Sequence, residues 1–303
     1  ISTSKRVVWS RLATLVLKGD AFIWSGTHMG GGTADLTTAK AALQEVRNLQ
    51  GATLDLQGNY RDIFDPTKKV NNKEMIFAVN YELQQAQLTF FSSFLVNSIQ
   101  ANTLSFTQTA TPTVSSVYPY VNGANRVGIN PAILTKLTTG AADQRIANTF
   151  RVMYGNAAPF AIRGVMLTKY IGTVAGTSQI YNNDYPVYRY ADVLLLLAEA
   201  KAKLGEDISA EINAIRLRAY GTGYTPYVSG SQTANMNAIL DEYLREFIGE
   251  GKRWWALRRA GDSYVYANLN PAFLNPSSTA KFLLPLSLAM LNADPLLKQT
   301  AGY

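Results

Sequence analysis

The chain has 303 residues, enough for one large domain or two smaller ones around a substantial core. It contains no cysteine and a single histidine, His28, which excludes disulfides, cysteine-based zinc sites, thiol nucleophiles and most histidine-dependent catalysis. The net charge is +7, but the basic residues cluster only at Lys252, Arg253, Arg258 and Arg259, so the charge does not by itself indicate a nucleic-acid partner.

The chain also lacks the patterns of a membrane-spanning or exported N-terminus. Its longest aliphatic run, Val193–Ala198, is far shorter than the roughly 20 residues that a spanning helix needs. The first residues carry no signal-peptide pattern, and the sequence begins at Ile1 and not at methionine. We therefore expect a processed or truncated piece, with any export signal or lipid anchor upstream.

Two helix pairs are predicted at distant places in the sequence. Residues 5–24 and 35–48 each repeat apolar side chains at helical spacing, with a glycine-rich turn over 25–33 between them. Residues 188–204 and 207–220 form the second pair, in which Gly205 suits a helix C-terminus and Asp207 suits an N-cap. A further helix over 234–249 carries a wide apolar stripe. Such pairs are typical of tetratricopeptide units, although their separation argues against a simple solenoid.

The segment between the pairs, about 51–186, has the composition of long loops and short strands. Met75–Val79 is a predicted strand, and the surrounding sequence is rich in Thr, Ser, Asn, Gly and Pro. Functional residues concentrate in loops laid over a rigid scaffold, so we expect ligand contacts here. After residue 281 the sequence predicts a short strand, Phe282–Leu284, then a proline turn and an extended end.

Known catalytic patterns are absent from the sequence. It contains no nucleophile-elbow, dinucleotide-binding or P-loop pattern, and Gly30-Gly31-Gly32 lacks the lysine and hydroxyl of a nucleotide loop. Glu242, Glu246 and Glu250 are spaced four residues apart and would form one helical stripe, whereas a glycosidase needs two carboxylates that face each other. We interpret the stripe as a solvated or salt-bridged face, with Arg245 and Arg253 close enough to pair with it.

The aromatic and basic cluster at the end of this segment has two interpretations. Trp254 and Trp255, with Arg258 and Arg259, could stack on bases or sugars. Adjacent tryptophans after a broken helix more often anchor that helix to a core, with arginine stems over the rings. We favour the structural role.

Four runs together resemble the C-terminal signature of the SusD/RagB family of outer-membrane nutrient-binding lipoproteins. They are YRYADVLLLLAEAKAKLGE, INAIRLRAYG, DEYLREFIGEGKRWWALRRAG and the closing LLPLSLAMLNADPLLKQTAGY. The chain departs from the family pattern at Tyr190, which stands between Arg189 and Ala191, and at Ala256, where an aspartate is usual.

The resemblance implies a mainly α fold, in which tetratricopeptide-like helix pairs form a scaffold with long loops and a few short strands. We expect a single SusD-like domain over 1–303 that lacks its N-terminal part. Residues 1–50 and 187–260 would form the helical scaffold, 51–186 a loop-rich ligand-binding region, and 261–303 an extended C-terminal tail.

The resemblance also implies a binding protein and not an enzyme, with no cofactor and no metal. Its function would be to bind oligosaccharide at the cell surface and deliver it to a SusC-like TonB-dependent transporter, with no nucleic-acid partner. Its location would be the outer membrane, with membrane association only through an upstream lipid anchor. The alternative is a helical-repeat adaptor that binds a peptide or protein partner.

Sugars present flat C–H faces and rings of hydroxyl groups, so their sites combine aromatic platforms with amide and arginine side chains. Six residues in loop-like sequence have this chemistry. The predicted ligand-binding residues are Tyr118, Tyr120, Asn122, Arg126, Tyr154 and Asn156.

Overall fold

The computed structural model describes residues 6–130, 133–138 and 142–303, and it is mainly α with a few short strands, as predicted. The chain divides into two compact units, Ile1–Arg253 and Trp254–Tyr303. The helices of the first unit are α1 (Arg11–His28), α2 (Gly32–Arg47), α3 (Ser98–Thr103), α4 (Val114–Val117), α5 (Leu134–Thr138), α6 (Gln144–Thr149), α7 (Tyr190–Lys203), α8 (Ser209–Tyr220) and α9 (Gln232–Glu246). Its strands are β1 (Met75–Val79), β2 (Leu104–Ser105), β3 (Phe150–Gly155), β4 (Ile162–Leu167), β5 (Thr173–Ala175), β6 (Ser178–Ile180) and β7 (Tyr185–Arg189).

Helices α1 and α2 form the first predicted pair, with shifted ends. Helix α1 begins at Arg11, where the Ser10 hydroxyl accepts a hydrogen bond from the Ala13 amide, and it runs on to His28 through the predicted glycine turn. The two helices approach most closely at Gly19, where a Cβ atom would lie 2.5 Å from Leu43 Cγ. Any side chain at residue 19 would therefore force Leu43 to shift.

Helix α7 is the centre of the scaffold. Almost all of its side chains are buried, and it packs against α1, α2, α8 and α9. The contact between α2 and α7 brings together the two pairs that are far apart in sequence. The helix-pair prediction is thus confirmed, and long-range packing stabilises it as well as the contacts within each pair.

Glycines with positive φ follow helices α7 and α9. Gly205 has a φ of 75° after α7, as its position predicted. Helix α8 begins at Ser209, two residues late, and Asp207 accepts a hydrogen bond from the Ser209 amide at 2.8 Å. Helix α9 ends at Glu246, before the predicted residue 249, and left-handed glycines follow at Gly249 and Gly251.

The strands form three small antiparallel sheets. Strand β1 has the predicted bounds and pairs with β7, which leads directly into α7. Strands β2, β3 and β4 form a second sheet, and β5 pairs with β6. The first two sheets border the loop-rich segment, where they hold short helices and connections in place.

The C-terminal unit is more helical than predicted. Helix α10 (Arg253–Ala260) begins at the boundary between the units, and α11 (Asp262–Asn268), a 3₁₀ helix (Pro276–Phe282) and α12 (Leu288–Ala293) follow. The predicted strand over 282–284 and the extended tail were therefore wrong. Helix α12 has a recognisable start, because the Ser287 hydroxyl accepts a hydrogen bond from the Met290 amide.

The two tryptophans of this unit differ in their surroundings. The Trp254 ring lies 6.3 Å from the Phe282 ring, and the Arg258 guanidinium lies 4.0 Å from the centre of that phenyl ring. Trp255 is 54% exposed, and its anchoring role stays a prediction.

Candidate functional site

The acidic stripe of the sequence lies inside the protein. Glu242 and Glu246 are on α9 and Glu250 follows it, and all three side chains are buried. Arg145 of α6 donates to Glu242 at 2.8 Å and to Glu246 at 3.2 Å. Arg216 of α8 donates to the other oxygen of Glu242 at 2.8 Å. The salt-bridged part of the interpretation is confirmed, and the solvated part is wrong.

Arg189, at the junction of β7 and α7, is the hub of this cluster. Its guanidinium is fully buried and donates to Glu74 and Glu246 at 2.6 Å and to Glu250 at 2.9 Å. Arg218 of α8 donates to Glu74 and Glu246 as well. The helices and the β1–β7 sheet are therefore joined by charge-assisted hydrogen bonds at one point.

Most of the cations that pair with the stripe are distant in sequence, and the expected partners Arg245 and Arg253 were wrong. Arg245 donates to the carbonyl of Lys136, and Arg253 donates to the carbonyl of Leu240. Spacing in one helix identifies a polar face, but it does not reveal that four other elements cover that face.

Ionisation of the buried carboxylates depends on these cations. Burial alone would raise the pKa of Glu250, yet the charges of Arg189, Lys169 and Lys252 lower it to about 2. The pKa of Glu246 is also held below its ordinary value, because Arg218, Arg189 and Arg145 outweigh the effect of burial. These carboxylates stay charged and occupied by protein partners, so the cluster is part of the scaffold and not a ligand site.

The structure separates the six sequence-predicted residues. Asn156 lines a cleft of about 640 Å³, which we call the loop cleft. Tyr118 and Tyr120 line a smaller depression of about 150 Å³ beside the β5–β6 hairpin.

The other three predicted residues line neither cavity. Asn122 accepts a hydrogen bond from the Ser98 amide at 3.4 Å, and Arg126 is exposed on the same connection. Tyr154 lies in β3, opposite Ser105 and Ile162. Their assignment as ligand contacts stays a prediction.

Three segments form the walls of the loop cleft. They are α3 with the start of β2, the connection 122–130, and the β3–β4 hairpin. Polar side chains line part of it and aliphatic ones the rest. The polar residues are Gln100, Thr103, Asn125, Asn156 and Arg163, and the aliphatic residues include Val96, Leu104, Ile129, Met153 and Val165.

The connection 122–130 is tied closely to the segment before α3. The amides of Gly123 and Asn125 donate to the carbonyls of Val96 and Leu95 at 2.8 and 2.9 Å. A Cβ atom at Gly123 would lie 2.1 Å from the Leu95 oxygen, so only glycine permits this approach. The wall is therefore preorganised although it has no regular secondary structure.

Backbone strain also concentrates at the loop cleft. Among the described residues, Asn125 and Phe160 are the two non-glycine residues with positive φ, at 45° and 52°. Asn125 lines the cleft, and Phe160 lies in the β3–β4 turn between the lining residues Pro159 and Ala161. Strained residues of this kind cluster at ligand sites, which favours the cleft as the functional site.

Side-chain amides are held in the cleft by one another. Asn125 donates to the Gln100 side-chain oxygen at 2.9 Å, and Gln100 takes part in the capping box that begins α3 at Asn97. Asn156 donates to the carbonyl of Asn102 at 3.4 Å. The amide hydrogens of Gln100 have no acceptor among the described residues and can bind ligand hydroxyl groups.

Arg163 enters the cleft through an irregularity in the β3–β4 ladder. Met153 pairs with Gly164 and Tyr154 pairs with Ile162, so Arg163 is the extra residue of a β-bulge. Its guanidinium lies beside Gly155, where a Cβ atom would be 3.4 Å from Nε. Arg163 thus lines the same cleft as the amide side chains of Gln100 and Asn125.

Sequence reasoning pointed to the region that contains the loop cleft but missed most of the residues that line it. Gln100, Thr103, Asn125 and Arg163 lie in the predicted ligand-binding region, but none of them was among the six predicted contacts. A recognisable signal existed at Asn122-Gly123-Ala124-Asn125, since Asn and Gly favour left-handed turns. None of the described residues that line the loop cleft is aromatic, contrary to the expected platform.

Neither a metal site nor a spanning helix is found in the described part of the chain. Across residues 6–130, 133–138 and 142–303, no group of three or more His, Asp and Glu side chains could hold a metal ion. In the same ranges no helix combines the length and the apolar character needed to cross a membrane.

The protein has a scaffold of helix pairs that are joined by buried ion pairs. The loops of this scaffold form a preorganised polar cleft. Together these features define a helical-repeat binding protein. The profile of the SusD family matches residues 153–303, and the starch-binding protein SusD of Bacteroides thetaiotaomicron is 30% identical over 128 residues. Two solved structures share the fold over 98% of this chain. These are B. fragilis NanU, with 32% identity and a TM-score of 0.86, and a SusD superfamily protein from Bacteroides vulgatus, with 30% identity and a TM-score of 0.85.

The chain belongs to the SusD family. Members of this family are binding proteins and not enzymes, and they are associated with the outer membrane at the cell surface. The chain spans about two thirds of the length of the two solved structures, 64% and 66%, and its match to the starch-binding protein covers 22% of that protein.

Proposed function

We propose that this chain is the glycan-binding part of a cell-surface nutrient-uptake protein, and that oligosaccharide binds in the loop cleft. The observation that carries the proposal is the cleft itself, whose volume of about 640 Å³ is typical of small-ligand sites. Its side-chain amides suit sugar hydroxyl groups, and its aliphatic walls suit sugar C–H faces. The similarity to a starch-binding protein supports a glycan as the ligand class.

Tyr118 and Tyr120 provide a second contact in this proposal. Tyr120 is 38% exposed, and both residues line the smaller depression with Pro119. A tyrosine ring offers an apolar face to a sugar and a hydroxyl group to its rim. We infer that this pair stacks on a glycan and supplies the aromatic surface that the loop cleft lacks.

The test is calorimetric titration of the protein with a panel of neutral and acidic oligosaccharides. Ala157 is an exposed lining residue, and Ala157→Trp would fill the cleft. We expect this change to weaken binding by roughly tenfold or more, the equivalent of about 1.4 kcal/mol. Ala21→Trp, at an exposed position on α1, is the matched control and should bind normally.

Two results would contradict the proposal. Unchanged affinity in Ala157→Trp would show that the cleft is not the site. Absence of binding to every glycan of the panel, by correctly folded protein, would remove glycan binding as the function.

We further propose that the native protein delivers its ligand to a SusC-like TonB-dependent transporter, and that a lipid anchor holds it at the outer-membrane surface. Family membership supports both proposals. Affinity purification of the native protein from outer membranes should recover a transporter of this class. Purification of the protein without such a transporter would count against the delivery role. Release of the protein into the soluble fraction would count against the lipid anchor.

A further inference from the structure

One part of the loop-rich segment, residues 83–183, has a strongly one-sided charge. Between residues 83 and 183 there is one acidic residue, Asp143, against six basic ones. The basic residues are Arg126, Lys136, Arg145, Arg151, Arg163 and Lys169. Much of the net charge of +7 therefore lies in the third of the chain that contains the cleft.

Three of these cations are neutralised by carboxylates. Asp143 and Glu242 pair with Arg145 at 2.7 and 2.8 Å, and Lys169 pairs with Glu250 at 2.8 Å. Lys136 pairs with Asp241 at 3.2 Å on the surface. The single acidic residue of the segment is thus already occupied.

Arg163 is different, because it faces the loop cleft without a carboxylate. Among the described residues it has no hydrogen-bond acceptor and no carboxylate within 4 Å, and no Asp or Glu lines the cleft. The buried residues Arg145, Lys169, Arg189 and Arg218, by contrast, each pair with carboxylates. An unpaired guanidinium in a concave surface concentrates positive potential and attracts anions.

We propose that the loop cleft is specific for acidic glycans, and that Arg163 binds a sugar carboxylate. The planar guanidinium offers two parallel N–H donors that match the two oxygens of a carboxylate. The amides of Gln100, Asn125 and Asn156 would then bind the neighbouring hydroxyl groups. This inference rests on the proposed glycan-binding function and names its ligand class.

The experiment compares matched ligands on the same protein. Oligosaccharides of galacturonic, guluronic and glucuronic acid are titrated beside the same oligosaccharides with each carboxylate reduced to a primary alcohol. At least one acid should bind roughly tenfold or more tightly than its reduced form, because hydrogen bonds to charged groups are stronger than those between neutral groups. Neutral glucans and sulfated dextran complete the panel.

Two variants assign the effect to the cleft. Arg163→Gln should remove the preference for the acid, and Arg163→Lys should restore only part of it, because the charge remains but the paired donors do not. Arg11→Gln removes the same charge from an exposed helix position and should leave the preference intact. Arg163 is exposed, so thermal melting should show all variants folded.

The outcomes separate the two proposals. Equal binding of every acid and its reduced form, with neutral glucans bound, overturns acidic specificity and leaves glycan binding in place. Binding of sulfated dextran but of no carboxylated sugar overturns the carboxylate assignment. An identical loss of preference in Arg163→Gln and Arg11→Gln overturns the role of Arg163, and absence of binding to any glycan overturns the proposed function itself.

Discussion

Arginine has two opposite roles in this molecule, and its neighbours decide which. Arg189 is fully buried and bound by Glu74, Glu246 and Glu250, so its charge is neutralised within the scaffold. Arg163 is exposed on a β-bulge and meets no carboxylate in the described residues. The first arrangement joins elements that are far apart in sequence, and the second leaves a charge for a ligand.

Glu246 is the residue whose loss should harm the scaffold most. Glu246→Gln keeps the shape of the side chain but removes the charge that faces Arg145, Arg189 and Arg218. Breaking a buried ion cluster in this way costs about 3–5 kcal/mol, because three buried arginines each lose one of the carboxylates that compensate their charge. Urea denaturation should show this loss in the free energy of unfolding.

Glu45→Gln is the control for this change. Glu45 pairs with Arg11 on the surface, where its side chain is 42% exposed, and such pairs contribute roughly 0–1 kcal/mol. Equal unfolding midpoints for the two variants would show that the buried cluster does not stabilise the fold.

At the scale of elements, contacts within a helix or a strand were predictable and contacts between segments were not. The spacing of apolar residues predicts the buried faces of α1 and α2, and the composition of β1 predicts a strand. The conformational freedom of glycine predicts the left-handed residue after α7. The loop cleft depends on Gly123 meeting the Leu95 carbonyl and on a bulge that skips Arg163. Neither the close approach at Gly123 nor the β-bulge leaves a periodic pattern in the sequence. The sequence therefore indicates the region of the cleft but not the residues that line it.

The crossing of α1 and α2 gives a test of element packing. Gly19→Ala should gain about 0.5–1 kcal/mol in helix propensity, but its Cβ atom would overlap Leu43. Overpacking of this kind costs about 1–3 kcal/mol, so we expect net destabilisation in chemical denaturation.

A double variant checks that the cause is the contact with Leu43. Leu43→Ala alone should cost about 2–5 kcal/mol through the cavity that it leaves. Combined with Gly19→Ala it should cost less than the sum of the two single changes, because the added methyl group enters that cavity. Additive losses would show that the close approach at Gly19 does not limit the crossing.

At the scale of the whole molecule, acidic and basic groups are segregated. Glu246 of α9 and Glu74, which precedes β1, are gathered in the scaffold around Arg189, whereas residues 83–183 contain a single acidic residue. The same imbalance therefore has two consequences, a scaffold that depends on ionised carboxylates and a cleft with an uncompensated positive charge. Lowering the pH tests the first consequence, the dependence of the scaffold on ionised carboxylates.

Acid should destabilise the protein within a defined range of pH. The pKa of Glu250 is lowered to about 2 in the folded protein, whereas an unfolded glutamate titrates near about 4.3. The unfolded chain then binds more protons between these values, so the stabilisation is complete above about pH 5 and is lost as the pH falls toward 2. The loss from Glu250 alone is on the order of 3 kcal/mol, and Glu246, whose pKa is lowered too, adds to it.

Urea denaturation at pH 7, 5, 4 and 3 measures the change in the free energy of unfolding. A free energy of unfolding that stays constant from pH 5 to 3 would show that these carboxylates are not held ionised by the buried arginines.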